Sequence, residues 1–121
     1  MAYDKNNIFA KILRGEIPCK KIYENEFILS FYDINPQRKI HALVIPKGEY
    51  IDLDDFSSKA SEKEISELIK AISVIAKNLG ISIDGGKGYR ALVNIGEKGG
   101  QEVPHLHFHL VGGEKVGKMI S

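Results

Sequence analysis

Apolar and polar residues recur with different periods along the chain, and these periods predict its helices and strands. In segment 61–80 the apolar residues are spaced three and four apart, which is typical of one face of an α-helix. Ser61 with Glu64 three positions later is a capping-box pattern, and Gly80 follows the last turn. The face expected to pack on the core consists of Ile65, Leu68, Ile69, Ile72, Ile75, Ala76 and Leu79.

A second, shorter helix is predicted near the N-terminus. Asn7 is suited to cap it, and Gly15 and Pro18 are suited to end it. We expect this helix to cover a sheet. The apolar residues predicted to face inward are Ile8, Phe9, Ile12 and Leu13.

Most of the remaining chain has extended character. Two β-favouring runs flank the polar turn 24–26 and predict a hairpin. The apolar run 40–46 predicts a buried strand, and runs 88–95 and 105–111 predict two more. We interpret segments 82–88 and 95–100 as flexible connections. Strands that follow one another, with one long helix among them, favour an α+β fold with an antiparallel sheet.

Composition narrows the class of protein. A chain of 121 residues is expected to form one domain, residues 1–121. The net charge of +1, without a run of like charges, argues against nucleic acid as a partner. The polar start and the absence of a long apolar run predict a cytoplasmic protein without membrane contact. Cys19 is the only cysteine, which excludes an internal disulfide and a Cys-x-x-Cys metal site.

Three of the four histidines lie at every second position, as His105, His107 and His109. In a strand these side chains would project from one face, and the apolar residues between them from the other. The pattern therefore predicts a strand with a core face and a chemical face.

Three interpretations of this histidine face are open. It could be a solvated sheet face, although histidine at three successive outward positions is improbable there. It could bind a metal, but the strand rise places His105 and His109 roughly 13 Å apart, so a ligand such as Glu102 or His41 would be needed. We favour the third, nucleophilic catalysis, in which one imidazole attacks while its neighbours orient it or bond a charged oxygen. The adjacent Gly99–Gly100 pair would allow backbone N–H groups to turn toward an anion.

With these residues in view, the sequence resembles the histidine triad (HIT) family, and within it the Hint-like nucleoside phosphoramidases. "HLHFHLV" is similar to the signature of that family. The similarity continues in chain order through "IFAKILRGEIP", "FYDINPQ", "HALVIPK", "GYRALVN" and "GGQEVPHLHFHL". It therefore spans nearly the whole chain.

The resemblance implies an α+β fold with a five-stranded antiparallel sheet, a short N-terminal helix and one long helix. It also implies a homodimer in which two sheets form one continuous surface. The implied activity is hydrolysis of a purine nucleoside monophosphate from an amine or similar leaving group. The mechanism requires no metal or other cofactor.

The resemblance also implies roles for single residues. His107 matches the nucleophile that attacks the α-phosphorus and carries the nucleotide until water removes it. His109 matches the histidine that contacts phosphate oxygens, while His105 and His41 match residues that support the nucleophile. The positions matching nucleotide contacts are Asp33 for the ribose hydroxyls, Phe31 and Ile34 for the base, and Asn94, Gly100 and Gln101 for the phosphate.

The sequence departs from the family pattern in three places. Glu102 stands where many eukaryotic members have serine, and it is expected either to protonate the leaving group or only to shape the loop. The Cys-x-x-Cys zinc site of some bacterial relatives has no counterpart in "NNIFAKI". Only eight residues follow Gly113, in a tail that helps to select the leaving group in this branch.

Three rival functions stay open on the sequence alone. One is a dinucleoside polyphosphate hydrolase of the same family. Another is a nucleotide-binding sensor or scaffold with vestigial hydrolysis, and the third is a metal-dependent enzyme. The set of four histidines argues against pure binding, which does not need a nucleophile.

Overall fold

The computed structural model describes residues 2–118, which form one five-stranded antiparallel sheet with helices on both faces. The strand order is β1-β2-β3-β5-β4. In chain order the elements are α1 (Ile8–Leu13), β1 (Lys21–Glu24), β2 (Ile28–Tyr32), β3 (Ile40–Pro46), α2 (Leu53–Lys59), α3 (Glu62–Asn78), α4 (Ile83–Gly86), β4 (Arg90–Val93) and β5 (Phe108–Gly112). This architecture confirms the predicted α+β fold.

Strand β3 lies in the middle of the sheet and divides the core into two clusters. Its side chains alternate between the faces, so Ala42 and Val44 pack with α3 while Leu43 and Ile45 pack with α1. All four are buried. The continuous apolar run of β3 thus reflects a strand that is covered on both sides.

Helix α3 follows the sequence prediction closely. The Ser61 side chain accepts a hydrogen bond from the Glu64 N–H, and the Glu64 carboxylate accepts one from the Ser61 N–H, which completes the capping box. Ile69 is the exception to the predicted apolar face, because 58% of its surface is exposed. Its position lies at the margin of the apolar stripe, beyond the reach of the sheet.

Helix α1 is also confirmed, with one correction. The Asn7 side chain accepts the Ala10 N–H at 2.9 Å and caps the helix, and Phe9 is buried. Ile8, predicted to face inward, is 42% exposed. It lies at the wall of a cavity instead of the core.

Two short helices were not predicted. Helix α2 has seven residues and a single buried apolar residue, Phe56, so it shows no apolar period. Helix α4 has four residues and lies inside segment 82–88, which we interpreted as a flexible connection. Elements this short depend on tertiary contacts and leave little pattern in the sequence. No helix within residues 2–118 is long and apolar enough to cross a membrane.

The histidine segment differs most from its prediction. Strand β5 begins at Phe108, so only His109 of the three alternating histidines lies on it. The Leu106 N–H bonds to the Tyr50 carbonyl, which draws the preceding backbone away from the sheet ladder. His105 is 0% exposed and His107 is 7% exposed. The histidines share the sheet face that carries α1, and Leu106, Phe108 and Leu110 pack on the other face as predicted, but most of the histidine face is buried and not solvated.

Candidate functional site

Four imidazoles meet where β3 and β5 lie side by side, on the sheet face that carries α1. His41 on β3 and His109 on β5 have ring centroids 5.2 Å apart, and His107 lies 5.1 Å from His109. The edge of the Phe9 ring contacts His107, with a centroid distance of 4.9 Å. The structure therefore brings together the histidines that the sequence singled out. The pairing of β3 with β5 joins His41 to His109, and the packing of α1 on the sheet places Phe9 against His107.

The proton on the His107 ring has a fixed place. His107 Nδ1 lies 2.8 Å from the backbone carbonyl oxygen of His105. Because a carbonyl only accepts, Nδ1–H must be the donor. The neutral ring then carries its lone pair on Nε2, as a nucleophilic imidazole requires.

Two consecutive hydrogen bonds orient the His109 ring. The Gln37 N–H donates to His41 Nδ1 at 3.0 Å, so the proton of neutral His41 is on Nε2. His41 Nε2 lies 2.9 Å from His109 Nδ1 and donates to it. His109 is left with a proton on Nε2, which makes that nitrogen a donor toward any bound oxygen.

His105 is held from both sides. Its Nε2–H donates to the Pro46 carbonyl at 2.9 Å, and its Nδ1 accepts the Tyr3 hydroxyl at 2.6 Å. No buried side-chain nitrogen or oxygen within residues 2–118 lacks a partner. Both ring nitrogens of His105 are therefore occupied, and its backbone carbonyl is the group that contacts the His107 ring.

Burial keeps these rings uncharged at neutral pH. Desolvation lowers the pKa of His105 to about 4. It also lowers the pKa of His109 to about 4, where nearby His107 and His41 add to the effect. The pKa values of His41 and His107 are lowered for the same main reason, and the Asp33 carboxylate partly opposes both shifts.

A cavity of about 710 Å³, here called the apolar cavity, opens beside His107 and His109. Its wall is formed by α1, by the segment 17–20 between α1 and β1, by the end of β2 and by residues near β5, and it includes the predicted base-pocket residues Phe31 and Ile34. Phe31 is buried, whereas Ile34 is 86% exposed and lies at the rim. Such a volume with a few polar groups at one end is typical of a site for a small organic ligand.

Asp33 stands at the polar end of the apolar cavity, directly after β2. Its Oδ1 accepts the Asn35 N–H at 2.8 Å, and its Oδ2 lies 3.5 Å from His41 Nε2. Its N–H donates to the His41 carbonyl at 3.0 Å. The carboxylate is thus anchored to β3 and still borders the cavity.

The loop 94–102 is arranged differently from its prediction. The N–H groups of Gly99 and Gly100 donate to the carbonyls of Gly96 and Glu97, so they do not form the expected anion cradle. The Gln101 side chain accepts the Gly96 N–H and donates to the Ile51 and Val103 carbonyls. In this conformation Gln101 holds the loop together and has no amide group directed at a ligand.

The two remaining predicted residues lie on different sides of His109. Exposed Glu102 borders the apolar cavity with His107. Asn94 follows β4 and borders a separate cavity that also contains His41 and His109.

One group of side chains has the composition of a metal site. Ligand atoms of Asp33, His41 and His109 lie within 4.8 Å of one another. However, His41 Nε2 already donates its proton to His109 Nδ1. A divalent ion would have to displace that proton, and its affinity would then depend on pH.

A model of the HIT domain matches residues 14–116. The chain belongs to the HIT family.

The HIT relatives cover nearly the full length of this chain. A HIT-like protein of Azospirillum brasilense is 55% identical over 98% of this chain and 95% of its own. The purine nucleoside phosphoramidase of Escherichia coli K12 is 38% identical over 97% of this chain and 95% of its own. A histidine triad protein from Clostridium difficile has a TM-score of 0.82 at 39% identity, covering 97% of this chain and 98% of that one.

Two contributors to the HIT site were missed from the sequence. Tyr3 lies 102 positions from His105, in a polar N-terminal segment without a periodic pattern. The Gln37 N–H is a backbone group, so its bond to His41 has no side-chain signature. An aromatic residue just before the cap of α1 was the single available signal for Tyr3.

We expect the stability of the protein to fall between pH 7 and pH 5. His105 has a pKa of about 4 in the folded chain and an ordinary value of 6.5 when unfolded, so its contribution is complete above pH 6.5 and is lost as the pH falls. Protonation of His105 alone should lower the free energy of unfolding by about 2 kcal/mol between pH 7 and pH 5. Urea unfolding at several pH values measures it. A free energy of unfolding that stays constant from pH 7 to pH 5 would contradict the neutral, buried assignment. The Glu24 carboxylate, whose pKa is lowered to about 2 by Lys21 and Lys47, stays ionised in the folded chain between pH 7 and pH 5.

We expect Tyr3→Phe to destabilise the fold by about 1–3 kcal/mol, because it leaves His105 Nδ1 buried without a donor. The ring-to-ring contact with His105 is retained, so the change isolates the hydroxyl. Urea unfolding at pH 7.5 is the measurement. Tyr89→Phe is the matched control, since no hydrogen bond of the Tyr89 hydroxyl is found within residues 2–118 and its loss should have little effect. Equal stability of the two variants would show that the Tyr3 hydroxyl does not support His105.

Proposed function

We propose that this protein is a hydrolase that cleaves a purine nucleoside monophosphate from an amine or similar leaving group through a covalent intermediate on His107. The observation that carries the proposal is the His107 Nδ1–H bond to the His105 carbonyl, which leaves Nε2 unprotonated beside the apolar cavity. The family supports a hydrolase, since its solved members include a HIT family hydrolase from Legionella pneumophila with a TM-score of 0.83 at 36% identity. The phosphoramidase activity of the Escherichia coli relative supports the bond that we propose.

In the first step, the lone pair of His107 Nε2 forms a bond to the α-phosphorus. The bond from phosphorus to the leaving nitrogen breaks, and its electron pair stays with that nitrogen, which takes up a proton. As Nε2 gives up its lone pair, positive charge spreads over the ring. The His105 carbonyl stabilises this charge through the Nδ1–H bond.

In the second step, a water oxygen attacks phosphorus and the bond to Nε2 breaks. The electron pair returns to His107, the nucleoside monophosphate leaves, and the proton of the water is released to solvent. His109 Nε2–H donates to a phosphate oxygen in both steps, because its Nδ1 is occupied by His41. Burial lowers the pKa of His109 to about 4, so the ring is neutral before the phosphate binds.

The apolar cavity binds the nucleoside in this proposal. Phe31 and Ile34 contact the base, and the Asp33 carboxylate accepts hydrogen bonds from the ribose hydroxyls. Asn94, Gly100 and Gln101 are proposed on the phosphate side, where Gly100 and Gln101 would have to exchange their present loop hydrogen bonds for phosphate contacts. Exposed Glu102 at the cavity mouth is proposed to accept a proton from solvent and pass it to the leaving nitrogen, which balances the proton released to solvent in the second step.

We expect His107→Asn to abolish turnover of an adenosine phosphoramidate while nucleotide affinity is broadly kept, because the defect lies in the covalent step. Turnover and AMP binding by calorimetry measure the two properties. Mass spectrometry of a reaction of the unmodified protein, quenched with denaturant at alkaline pH to preserve the phosphorus–nitrogen bond, should locate an adenylyl group on His107. Turnover by His107→Asn at the rate of the unmodified protein would refute the assignment. Faster hydrolysis of a dinucleoside polyphosphate than of any phosphoramidate would assign the protein to the rival activity.

We also propose that the active form is a homodimer. Strand β4 lies at an edge of the sheet and pairs only with β5 within residues 2–118, so its other side has backbone groups free for a second copy. Pairing two β4 edges would produce the continuous surface of two sheets. Analytical ultracentrifugation should give twice the mass of the chain, and a mass of one chain at the concentration of the activity assay would contradict the proposal.

A further inference from the structure

A second cavity of about 340 Å³ lies on the other side of His109 from the apolar cavity. Its wall is formed by the start of β3, by β4 and β5, and by the C-terminal tail at Val116. None of the nucleotide-contact residues proposed above borders it except Asn94. It therefore has no part in binding the base or the ribose.

The two cavities share only His109. His107 borders the apolar cavity alone, whereas His41 borders the second cavity alone. A phosphorus atom within reach of His107 and His109 would therefore lie at the junction of the two cavities. With the nucleoside in the apolar cavity, the second cavity offers the leaving group on phosphorus an open recess to extend into.

Arg38 and Arg90 give the second cavity a positive charge. An Arg38 Nη donates to the Val116 carbonyl at 2.9 Å, and an Arg90 Nη donates to the Gly117 carbonyl. Carbonyls carry no net charge, and no carboxylate of residues 2–118 lies within 4.0 Å of either guanidinium. Each guanidinium has five N–H donors, so both retain donors for a ligand.

The same contacts hold the tail in place as a wall. The Glu114 carboxylate accepts the Lys39 N–H at 2.8 Å, so its charge is engaged with the backbone at the start of β3. Three hydrogen bonds thus attach residues 114–117 to the sheet. Val116 of the tail lines the second cavity together with Arg38 and Arg90.

We infer that the second cavity binds the leaving group and selects leaving groups that carry an anionic substituent, a carboxylate or a phosphate, through Arg38 and Arg90. Guanidinium groups bind both anions in a forked geometry. The inference rests on the proposed function and adds to it the chemical class of the departing amine.

The test compares adenosine 5′-phosphoramidates of 4-aminobutanoate, 4-aminobutanamide and 3-aminopropyl phosphate. The first two differ in the charge of a group remote from the departing nitrogen, so the bond that breaks is nearly the same. We expect kcat/KM to be roughly tenfold higher for the carboxylate than for the amide, as one partly solvated charged hydrogen bond allows. The third substrate shows whether phosphate is selected more strongly than carboxylate.

Charge variants connect the selectivity to the cavity. In Arg38→Gln the ratio of the carboxylate to the amide substrate should fall to about threefold or less, and in Arg38→Glu it should fall below one. Lys70→Gln is the matched control, because exposed Lys70 on α3 borders neither cavity and its loss changes the net charge equally. Its ratio should equal that of the unmodified protein.

The outcomes separate this inference from the proposed function. If the amide and the anionic substrates react equally, or if Arg38→Glu keeps the original ratio, the leaving-group inference is overturned while hydrolysis through His107 stands. If Arg38→Glu does not fold, the Arg38→Gln ratio decides the question. If none of the three substrates reacts and no adduct forms on His107, the proposed function itself fails.

Discussion

Most of the site depends on one constraint, the burial of uncharged imidazoles in the middle of a sheet. A buried ring nitrogen without a partner is costly, so each ring must find a donor or an acceptor of the correct kind. The decisive bond is the one from His107 Nδ1–H to the carbonyl of His105, because it places the lone pair of His107 on Nε2. If that carbonyl turned away, the ring could adopt the other tautomer and Nε2 would no longer carry the lone pair.

Two sets of hydrogen bonds keep this arrangement in place. Each set includes a backbone group from another segment of the chain. His105 is held between the Tyr3 hydroxyl and the Pro46 carbonyl at the end of β3. The Gln37 N–H in the turn before β3 donates to His41, and His41 in turn donates to His109. Phe9 belongs to the core cluster beneath α1 and also contacts His107. Packing of the core and alignment of the site are therefore coupled, and a change that loosens α1 would disturb both.

Local patterns in the sequence were sufficient for the long helix, the N-terminal helix and the central strand. The capping box of α3, the Asn7 cap of α1 and the buried strand β3 were each predicted and confirmed, because each depends on residues close together in the chain. Alternation correctly predicted that the histidines share one face of the sheet, with Leu106, Phe108 and Leu110 on the other. It did not predict that β5 begins only at Phe108 or that His105 and His107 are buried. The Leu106 N–H donates to the distant Tyr50 carbonyl, a contact that local alternation does not encode.

The sequence by itself determined the fold class and the family, and it selected the four histidines as candidate site residues. These follow from periodicity and from motifs in a fixed order. Only the tertiary structure decided which nitrogen of each ring carries the proton, because the partners of His105 and His41 come from remote segments or from the backbone. It also decided that Gln101 holds a loop together and that Arg38 and Arg90 border the same cavity. The physical reason is that a hydrogen bond requires direction and contact in space, and separation along the chain contains no information about either.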